Sequence, residues 1–138
     1  MKTYQQFCVS VICVFALVAC SQKVSNLDSV TPIAQADFAN AQQAYSKGDF
    51  RNAATWMFRA AEQGHPEAQH YLGLMFDTGR GVPQNFVSSY MWFSLAEANG
   101  SSASHNLKHN MARSMEPEQL AEAQNRAERC LRSKYQEC

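Results

Sequence analysis

The chain repeats itself at an interval of 36 residues, and this periodicity constrains its fold more than any other feature. Shifting the sequence by 36 positions superposes Trp56 on Trp92, and these are the two tryptophans of the chain. Three further pairs align at the same shift: Phe50 with Phe86, Ala60 with Ala96, and Gly64 with Gly100. An interval of this length is typical of helical solenoids, in which successive helix pairs stack on one another. We expect both indoles to pack between layers, with ligand stacking as the alternative.

Local signals divide the repeat into two helices. Asp49 is suited to cap a helix over residues 50–63, where apolar residues recur at helical spacing and Gly64 supplies the stop. Pro66 then begins a second helix that runs to about Thr78, because a proline costs no hydrogen bond at the first helical position.

Similar signals predict four more helices. One covers residues 36–46, one covers residues 84–99, a third follows Gly100, and a fourth runs from Pro117 through Leu131. Six helices joined by short Gly or Pro turns predict an all-α solenoid of about three antiparallel helix pairs, because one such pair cannot cover its own apolar face.

Helical spacing also predicts which side chains face the core. We expect Gly73 to be small enough for a neighbouring backbone to approach closely. Three helices have these predicted inner faces: Ala68, Leu72 and Phe76; Ala103, Leu107 and Met111; and Leu120, Ala123, Ala127 and Leu131.

The first 19 residues have the pattern of a secretory signal, with Lys2 followed by an apolar run from Phe7 to Ala19. At its end, Leu17-Val18-Ala19-Cys20 resembles the lipobox of bacterial lipoproteins. The resemblance implies that residues 1–19 are a cleaved signal peptide and that Cys20 carries lipid. Ordinary secretion with cleavage nearby is the alternative.

Ser21 and Gln22 follow the cysteine, where lipoproteins retained in the inner membrane favour Asp. The resemblance therefore implies a lipid anchor in the outer membrane, on its periplasmic side. Residues 20–35 are polar and without a helical apolar stripe, which predicts the lipidated cysteine followed by a flexible tether. Residues 36–138 are then the repeat domain.

Several motifs resemble the Sel1-like repeat, a relative of the tetratricopeptide repeat. They are Ala44-Tyr45-x-x-Gly48-Asp49, Ala60-Ala61-Glu62-Gln63-Gly64-His65, Ala68-Gln69-x-x-Leu72-Gly73, Gly79-Arg80-Gly81-Val82-Pro83-Gln84-Asn85, and the second Trp-centred helix. The resemblance covers residues 40–107, and residues 115–132 look like the polar closing helix that often follows the last such repeat. It implies a scaffold that binds other proteins.

In helical solenoids the first helix of each pair lines the concave surface. Here these first helices are the ones predicted over residues 36–46, over residues 66–78 and after Gly100. Tyr71, Leu74 and Met75 lie beside the core stripe of such a helix, which predicts a groove for a peptide or another envelope protein. The predicted partner-binding residues are Asn40, Gln43, Tyr71, Leu74, Asn106 and His109.

Cys130 and Cys138 remain after Cys20 and the signal segment are set aside. A continuous helix would hold their Cα atoms about 12 Å apart, whereas a disulfide needs about 4.4 to 6.8 Å, so the chain must turn for them to meet. A group of cysteine-rich Sel1-like proteins joins adjacent helices at this spacing, and the resemblance implies a structural disulfide. Free or intermolecular thiols are the alternative.

His70, His105 and His109 are candidate metal ligands, because His105 and His109 share a helix face and His70 precedes His105 by 35 residues. Three imidazoles could bind Zn²⁺ or Cu²⁺, but packed helix axes lie about 8 to 10 Å apart and no carboxylate is implied to orient them. We expect exposed polar positions, no metal site and no cofactor; metal buffering is a weaker hypothesis. His65, before Pro66, is expected to be solvated in a turn.

Composition and motifs argue against other classes of function. The 12 Lys and Arg residues balance the 12 Asp and Glu residues, so no basic field exists to hold nucleic acid. No nucleophile elbow, Gly-rich phosphate cradle or HExxH helix occurs, which predicts a non-catalytic protein. A cell-envelope enzyme, or a protein that interacts with peptidoglycan or β-lactam-like compounds, is the alternative.

Overall fold

Six α-helices make up the regular structure of residues 30–138, the part of the chain that the computed structural model describes. In chain order they are α1 Pro32–Ser46, α2 Phe50–Ala61, α3 Pro66–Thr78, α4 Phe86–Ala98, α5 Ser102–Ser114 and α6 Pro117–Arg132. Residues 30–138 contain no strand. The predicted all-α helical repeat fold is confirmed.

The signal segment, Cys20 and most of the predicted tether lie outside the described residues, so those assignments stay predictions. The first helix begins at Pro32, four residues before its predicted start. The Thr31 side chain caps it by accepting a hydrogen bond of 3.0 Å from the backbone N–H of Ala34. The last residues of the predicted tether are therefore helical, because Thr-Pro supplies a cap followed by a favourable first position.

The second helices of the pairs, α2, α4 and α6, form the second row of the stack, and α1, α3 and α5 form the first row. Matching caps begin the second-row helices α2 and α4. Asp49 accepts a hydrogen bond of 3.2 Å from the backbone N–H of Asn52, and Asn85 accepts one of 2.9 Å from that of Ser88. These caps are 36 residues apart in the chain. The predicted register of the repeat therefore sets where both helices start.

The core centres on the contact between α3 and α4. Gly73 faces the ring of Phe93, and a Cβ added to this glycine would lie 2.5 Å from Phe93 Cε1. Next to it, the Ser89 hydroxyl donates a hydrogen bond of 2.7 Å to the carbonyl oxygen of Gly73. The close approach predicted at Gly73 is thus made by an aromatic side chain of α4, while its serine ties the two helices together.

The closing helix α6 packs mainly against α4 rather than against α5. Its buried residues are Ala123, Ala127 and Cys130. The sequence predicted Leu131 on this inner face, but Leu131 is 40% exposed whereas Cys130 is fully buried. The prediction was wrong by one position, because it followed hydrophobicity and set the cysteine aside for a disulfide.

The fifth helix also differs from its prediction. Ser104 is its buried residue, Ala103 is exposed, and Leu107 and Met111 are half-buried. His65 and Ser101 hold the N-cap positions of α3 and α5, and they are 36 residues apart. The counterpart of His70 is therefore Asn106, and the predicted pairing of His70 with His105 was wrong by one residue.

A disulfide joins Cys130 to Cys138, with a Cα–Cα distance of 4.6 Å. The turn that brings them together has Lys134 and Tyr135 in left-handed backbone conformations, with φ of 52° and 67°. The Tyr135 hydroxyl donates a hydrogen bond of 2.9 Å to Asn99 Oδ1. The tail is thereby held against the loop that follows α4.

Among the helices of residues 30–138, none has the combination of length and apolar character that crossing a membrane requires.

Replacing Gly73 by alanine tests the contact between α3 and α4. Alanine is favoured over glycine in an exposed helix by about 1 kcal/mol, but overpacking a core costs about 1–3 kcal/mol. Because Phe93 is only 1% exposed and has little room to move, we expect Gly73→Ala to lower the free energy of unfolding by about 1 to 2 kcal/mol. Urea unfolding followed by circular dichroism measures this change.

The matched control repeats the substitution in a Phe93→Leu background. Removing the ring gives the new methyl group space, so the penalty for Gly73→Ala should shrink or reverse. A Gly73→Ala protein that is more stable than the wild type would contradict this packing.

Candidate functional site

A first pocket, of about 200 Å³, lies where α1, α2 and α3 meet. Its lining residues are Gln42, Tyr45, Ser46, Met57 and Tyr71. The ring centroid of Tyr71 is 5.9 Å from that of Phe38 and 6.2 Å from that of Tyr45. Tyr71 is half-buried because its neighbour in the chain, Leu72, occupies the centre of the core stripe. The pocket therefore has an aromatic wall that solvent reaches.

Arg80 orders one side of this first pocket. Its guanidinium donates a hydrogen bond of 3.2 Å to the hydroxyl of Tyr45 and lies 5.6 Å from the ring centroid of Phe50. Tyr45 itself packs edge-on against Phe50, with centroids 4.9 Å apart. The Gly79-Arg80-Gly81 turn, part of one Sel1-like motif, thus positions a pocket residue.

A second pocket, of about 380 Å³, lies between the C-terminal half of α3 and helices α4, α5 and α6. Phe86, at its edge, is 45% exposed, an unusual degree for a phenylalanine of a folded protein. The lining is mostly apolar, with Asp77 as its charged residue. The lining residues are Asp77, Phe86, Phe93, Leu107, Asn110, Met111, Ser114, Met115 and Gln119.

The two pockets occupy equivalent places in successive repeats. Met57 of the first pocket is 36 residues before Phe93 of the second, and Tyr71 is 36 residues before Leu107. In each pocket, one residue comes from a second-row helix and its partner from the first-row helix that follows. A pocket with apolar side chains on its walls therefore forms at equivalent junctions between helices in both repeats.

The predicted partner-binding residues do not share one pocket. Asn40 and Gln43 line a third pocket of about 300 Å³, together with Trp56 of α2. They border α2 because α1 packs directly against that helix, whereas the sequence could not show which flank of α1 faces the next pair. Of the six predicted residues, Tyr71 alone lines the first pocket and none lines the second.

The remaining predicted residues line neither of these two pockets. Leu74 is half-buried on α3, and Asn106 and His109 are exposed on α5. Met75, which the sequence placed beside Tyr71 and Leu74, is instead a core residue with 1% of its surface exposed. That any of the six residues contacts a partner stays a prediction.

Residues of the second pocket were missed because no sequence motif marks them. The repeat itself was the available signal, since shifting Met57 and Tyr71 by one period gives Phe93 and Leu107. Pairing His70 with His105 shifts the register of α5 by one residue and hides this correspondence.

The three candidate metal-ligating histidines are not brought together. His70 is half-buried and hydrogen-bonded to the Ser104 hydroxyl at 2.8 Å, and burial lowers the pKa of its imidazole, with the charge of Glu67 opposing that shift. His105 and His109 are exposed on α5, with ring centroids 4.4 Å apart. Among the described residues, no three His, Cys, Asp or Glu side chains are grouped to hold a metal ion.

Comparison with known proteins identifies the repeat. Residues 39–65 and 66–101 match the family model of the Sel1 repeat, and together these matches span a little under half of the chain. We name the two matched segments the first and second Sel1 repeat. The first Sel1 repeat includes most of α1 and all of α2, and the second consists of α3 and α4 with their connections. The first pocket therefore lies at the junction between the two Sel1 repeats.

A similar protein is the chitin synthase regulator SKT5 of Saccharomyces cerevisiae. It is 36% identical to this chain over 59 residues, which are 43% of this chain and 8% of the yeast protein. The similarity is therefore confined to a small part of SKT5.

The tryptophans of the two Sel1 repeats pack in different ways. Trp92 is 3% exposed and meets Phe58 edge-on, with ring centroids 5.9 Å apart. Trp56 is half-buried, and the guanidinium carbon of Arg59 lies 4.6 Å from its ring centroid. The predicted packing role holds for both, since one indole is in the core and the other lies at the edge of the first Sel1 repeat.

His65, the last residue of the first Sel1 repeat, is buried rather than solvated as predicted. It is 2% exposed, and its ring centroid is 4.4 Å from that of Phe38. Its Nδ1 atom caps α3 by accepting a hydrogen bond of 3.3 Å from the backbone N–H of Ala68, while Nε2 lies 3.1 Å from Gln35 Oε1. The prediction failed because His-Pro resembles a turn, whereas here the imidazole links α1 to α3.

The buried His65 predicts a stability that falls in mild acid. Burial lowers the pKa of His65 below its ordinary value of 6.5, and the carboxylate of Glu67 only partly offsets this shift. Because the unfolded chain then binds more protons than the folded one between these two pKa values, the free energy of unfolding decreases as the pH falls below about 6.5. Urea unfolding at pH 7.0 and pH 5.5 measures the decrease.

A His65→Asn variant is the matched control, since asparagine can still cap α3 but does not titrate. Its loss of stability between the two pH values should be smaller than that of the wild type. Some loss remains, because the pKa of His70 is lowered too. Equal losses in the two proteins would show that His65 does not carry the effect.

Proposed function

We propose that this chain is a non-catalytic scaffold that binds a peptide or an extended segment of another protein along its two recurring pockets. Sel1 repeats suggest a protein-interaction module in general. The observation that supports the location is the recurrence of the pocket at the 36-residue interval, with Met57 and Tyr71 in one copy and Phe93 and Leu107 in the other. A repeated joint suits a ligand that is itself extended.

The walls of the pockets favour a segment with apolar side chains. Half-exposed aromatic and methionine side chains bury apolar surface without a large loss of side-chain freedom, since they are already packed on one side. In the second pocket, the carboxylate of Asp77 adds a negative charge at the edge of an apolar surface. The ligand of this pocket is therefore expected to place an apolar group inside and a polar or basic group near Asp77.

The proposed cellular location follows from the N-terminal sequence. The apolar run before Cys20 and its lipobox-like context support a lipid anchor at this cysteine, and Ser21 and Gln22 support the outer membrane, on its periplasmic side. The partner is then another envelope protein or peptide.

Site-specific photocrosslinking in intact cells tests the proposed surface. A photoreactive amino acid is placed at position 71 or at position 107, and in separate proteins at Gln124, an exposed residue of α6 that lines neither pocket. We expect one envelope protein to be captured from positions 71 and 107 but not from position 124. Equal capture from all three positions would contradict a specific surface.

The captured protein is then purified and its affinity measured by calorimetry. A side chain at the centre of an interface typically contributes 2 kcal/mol or more, so Tyr71→Ala and Leu107→Ala should each weaken binding by about 30-fold. Gln124→Ala, at an exposed position of α6 that lines none of the three pockets, is the matched control and should leave the affinity unchanged. Unchanged binding by both pocket variants, with helix content intact, would overturn the proposal.

A further inference from the structure

His105 and His109 lie together on the exposed side of α5. They are four residues apart, which places two side chains next to each other on a helix, and their ring centroids are 4.4 Å apart. His105 is 53% exposed at its side chain. Leu107 and Met111, which line the second pocket, are about half a helical turn away from this pair. The two imidazoles therefore form a cluster separate from the proposed peptide surface.

Glu97, near the end of α4, orients one of these imidazoles. Its Oε1 atom lies 2.5 Å from Nδ1 of His105. Because Nδ1 donates its proton to the carboxylate, the lone pair of the ring is on Nε2, which is free to bind an ion. A carboxylate that accepts from one nitrogen of a histidine while the other binds a metal is the usual arrangement in protein metal sites.

Lys108 holds the other oxygen of the same carboxylate, since its ammonium pairs with Glu97 Oε2. Glu97 is therefore fixed between two donors and points one oxygen at His105.

The preceding repeat shows that the helix stack does not need this cluster. The counterparts of Glu97 and His105 are Ala61 and Gln69, where the Gln69 amide donates a hydrogen bond of 3.0 Å to the backbone carbonyl of Ala61. The counterpart of Lys108 is Leu72, which is fully buried. A buried contact in one repeat is thus replaced in the next by a partly exposed group of titratable side chains.

We propose that His105 and His109 chelate a divalent transition-metal ion, with Cu²⁺ or Zn²⁺ as the best matched, and that Glu97 orients His105 for this purpose. Imidazole nitrogens bind these ions at about 2.0 to 2.1 Å, so two ligands of one ion are about 3 Å apart, within reach of two adjacent rings. The protein supplies two ligands, and water or a side chain of another molecule completes the coordination. The sequence indicates His105 and His109 as candidate ligands but implies no carboxylate to orient them, because Glu97 comes from another helix.

Calorimetric titration with Cu²⁺, and separately with Zn²⁺, tests the site. The full chain is purified without a polyhistidine tag, kept unreduced so that Cys130 and Cys138 stay joined, and alkylated at its other thiols. We expect one ion per chain, bound at least about tenfold more weakly by His105→Gln and by His109→Ala. His105→Gln installs the residue found at the equivalent position 69, which keeps the helix surface polar.

Two further variants separate a chelate from unspecific binding. His70→Asn, which installs the residue found at the equivalent position 106, removes an imidazole elsewhere and should leave the affinity unchanged. Glu97→Gln should weaken binding by about tenfold, because it loses the charge that raises the basicity of His105.

Electron paramagnetic resonance of the Cu²⁺-loaded protein should show two coordinated imidazole nitrogens, and one in each single-histidine variant. Binding that survives the double variant His105→Gln with His109→Ala, or that falls equally in His70→Asn, would overturn the proposal. The outcome is independent of peptide binding, since none of these residues lines either pocket.

Discussion

The contact between the Phe93 ring and the backbone of Gly73 is the constraint on which the rest of the structure depends. It sets the distance between α3 and α4, and the hydrogen bond from Ser89 to the Gly73 carbonyl fixes their register. With α4 in place, α6 and the disulfide-linked tail have a surface to pack on. Phe93 also forms part of the second pocket. One aromatic side chain thus joins the core of the second Sel1 repeat to its exposed surface.

Residues at equivalent positions of the repeat change from apolar to charged where the helix stack ends. In α2 and α3, two equivalent positions carry the apolar residues Ala61 and Leu72, which are buried. One repeat later, in α4 and α5, the same positions carry Glu97 and Lys108, a partly exposed ion pair. Burying charged side chains costs free energy, so no further helix pair covers this face. The periodic core therefore ends here, and α6 packs back against α4. Two kinds of surface result: apolar joints between repeats and a polar, histidine-bearing face at the end.

Much of the fold could be predicted from the sequence because its signals are local. Asp49, Gly64 and Pro66 act through their own backbone neighbourhood, so helix ends could be predicted to within a few residues. Two other features depend on how one helix packs on another: the burial of His65, and the side of α1 on which Asn40 lies. No local sequence pattern encodes that packing. The pockets also depend on the packing of helices against one another. They arise at joints between three or four helices, so the repeat could relate them to each other but not reveal them.

Amide hydrogen exchange of the folded chain tests most directly the claim that one core runs from α1 to α4 and includes the buried face of α6. The account predicts the slowest exchange in α2, α3 and α4, slow exchange in α6 around the buried Cys130, and faster exchange in α5, where Ser104 is the single buried residue of the helix. Exchange of α5 and α6 as one cooperative hairpin, separate from α4, would contradict it.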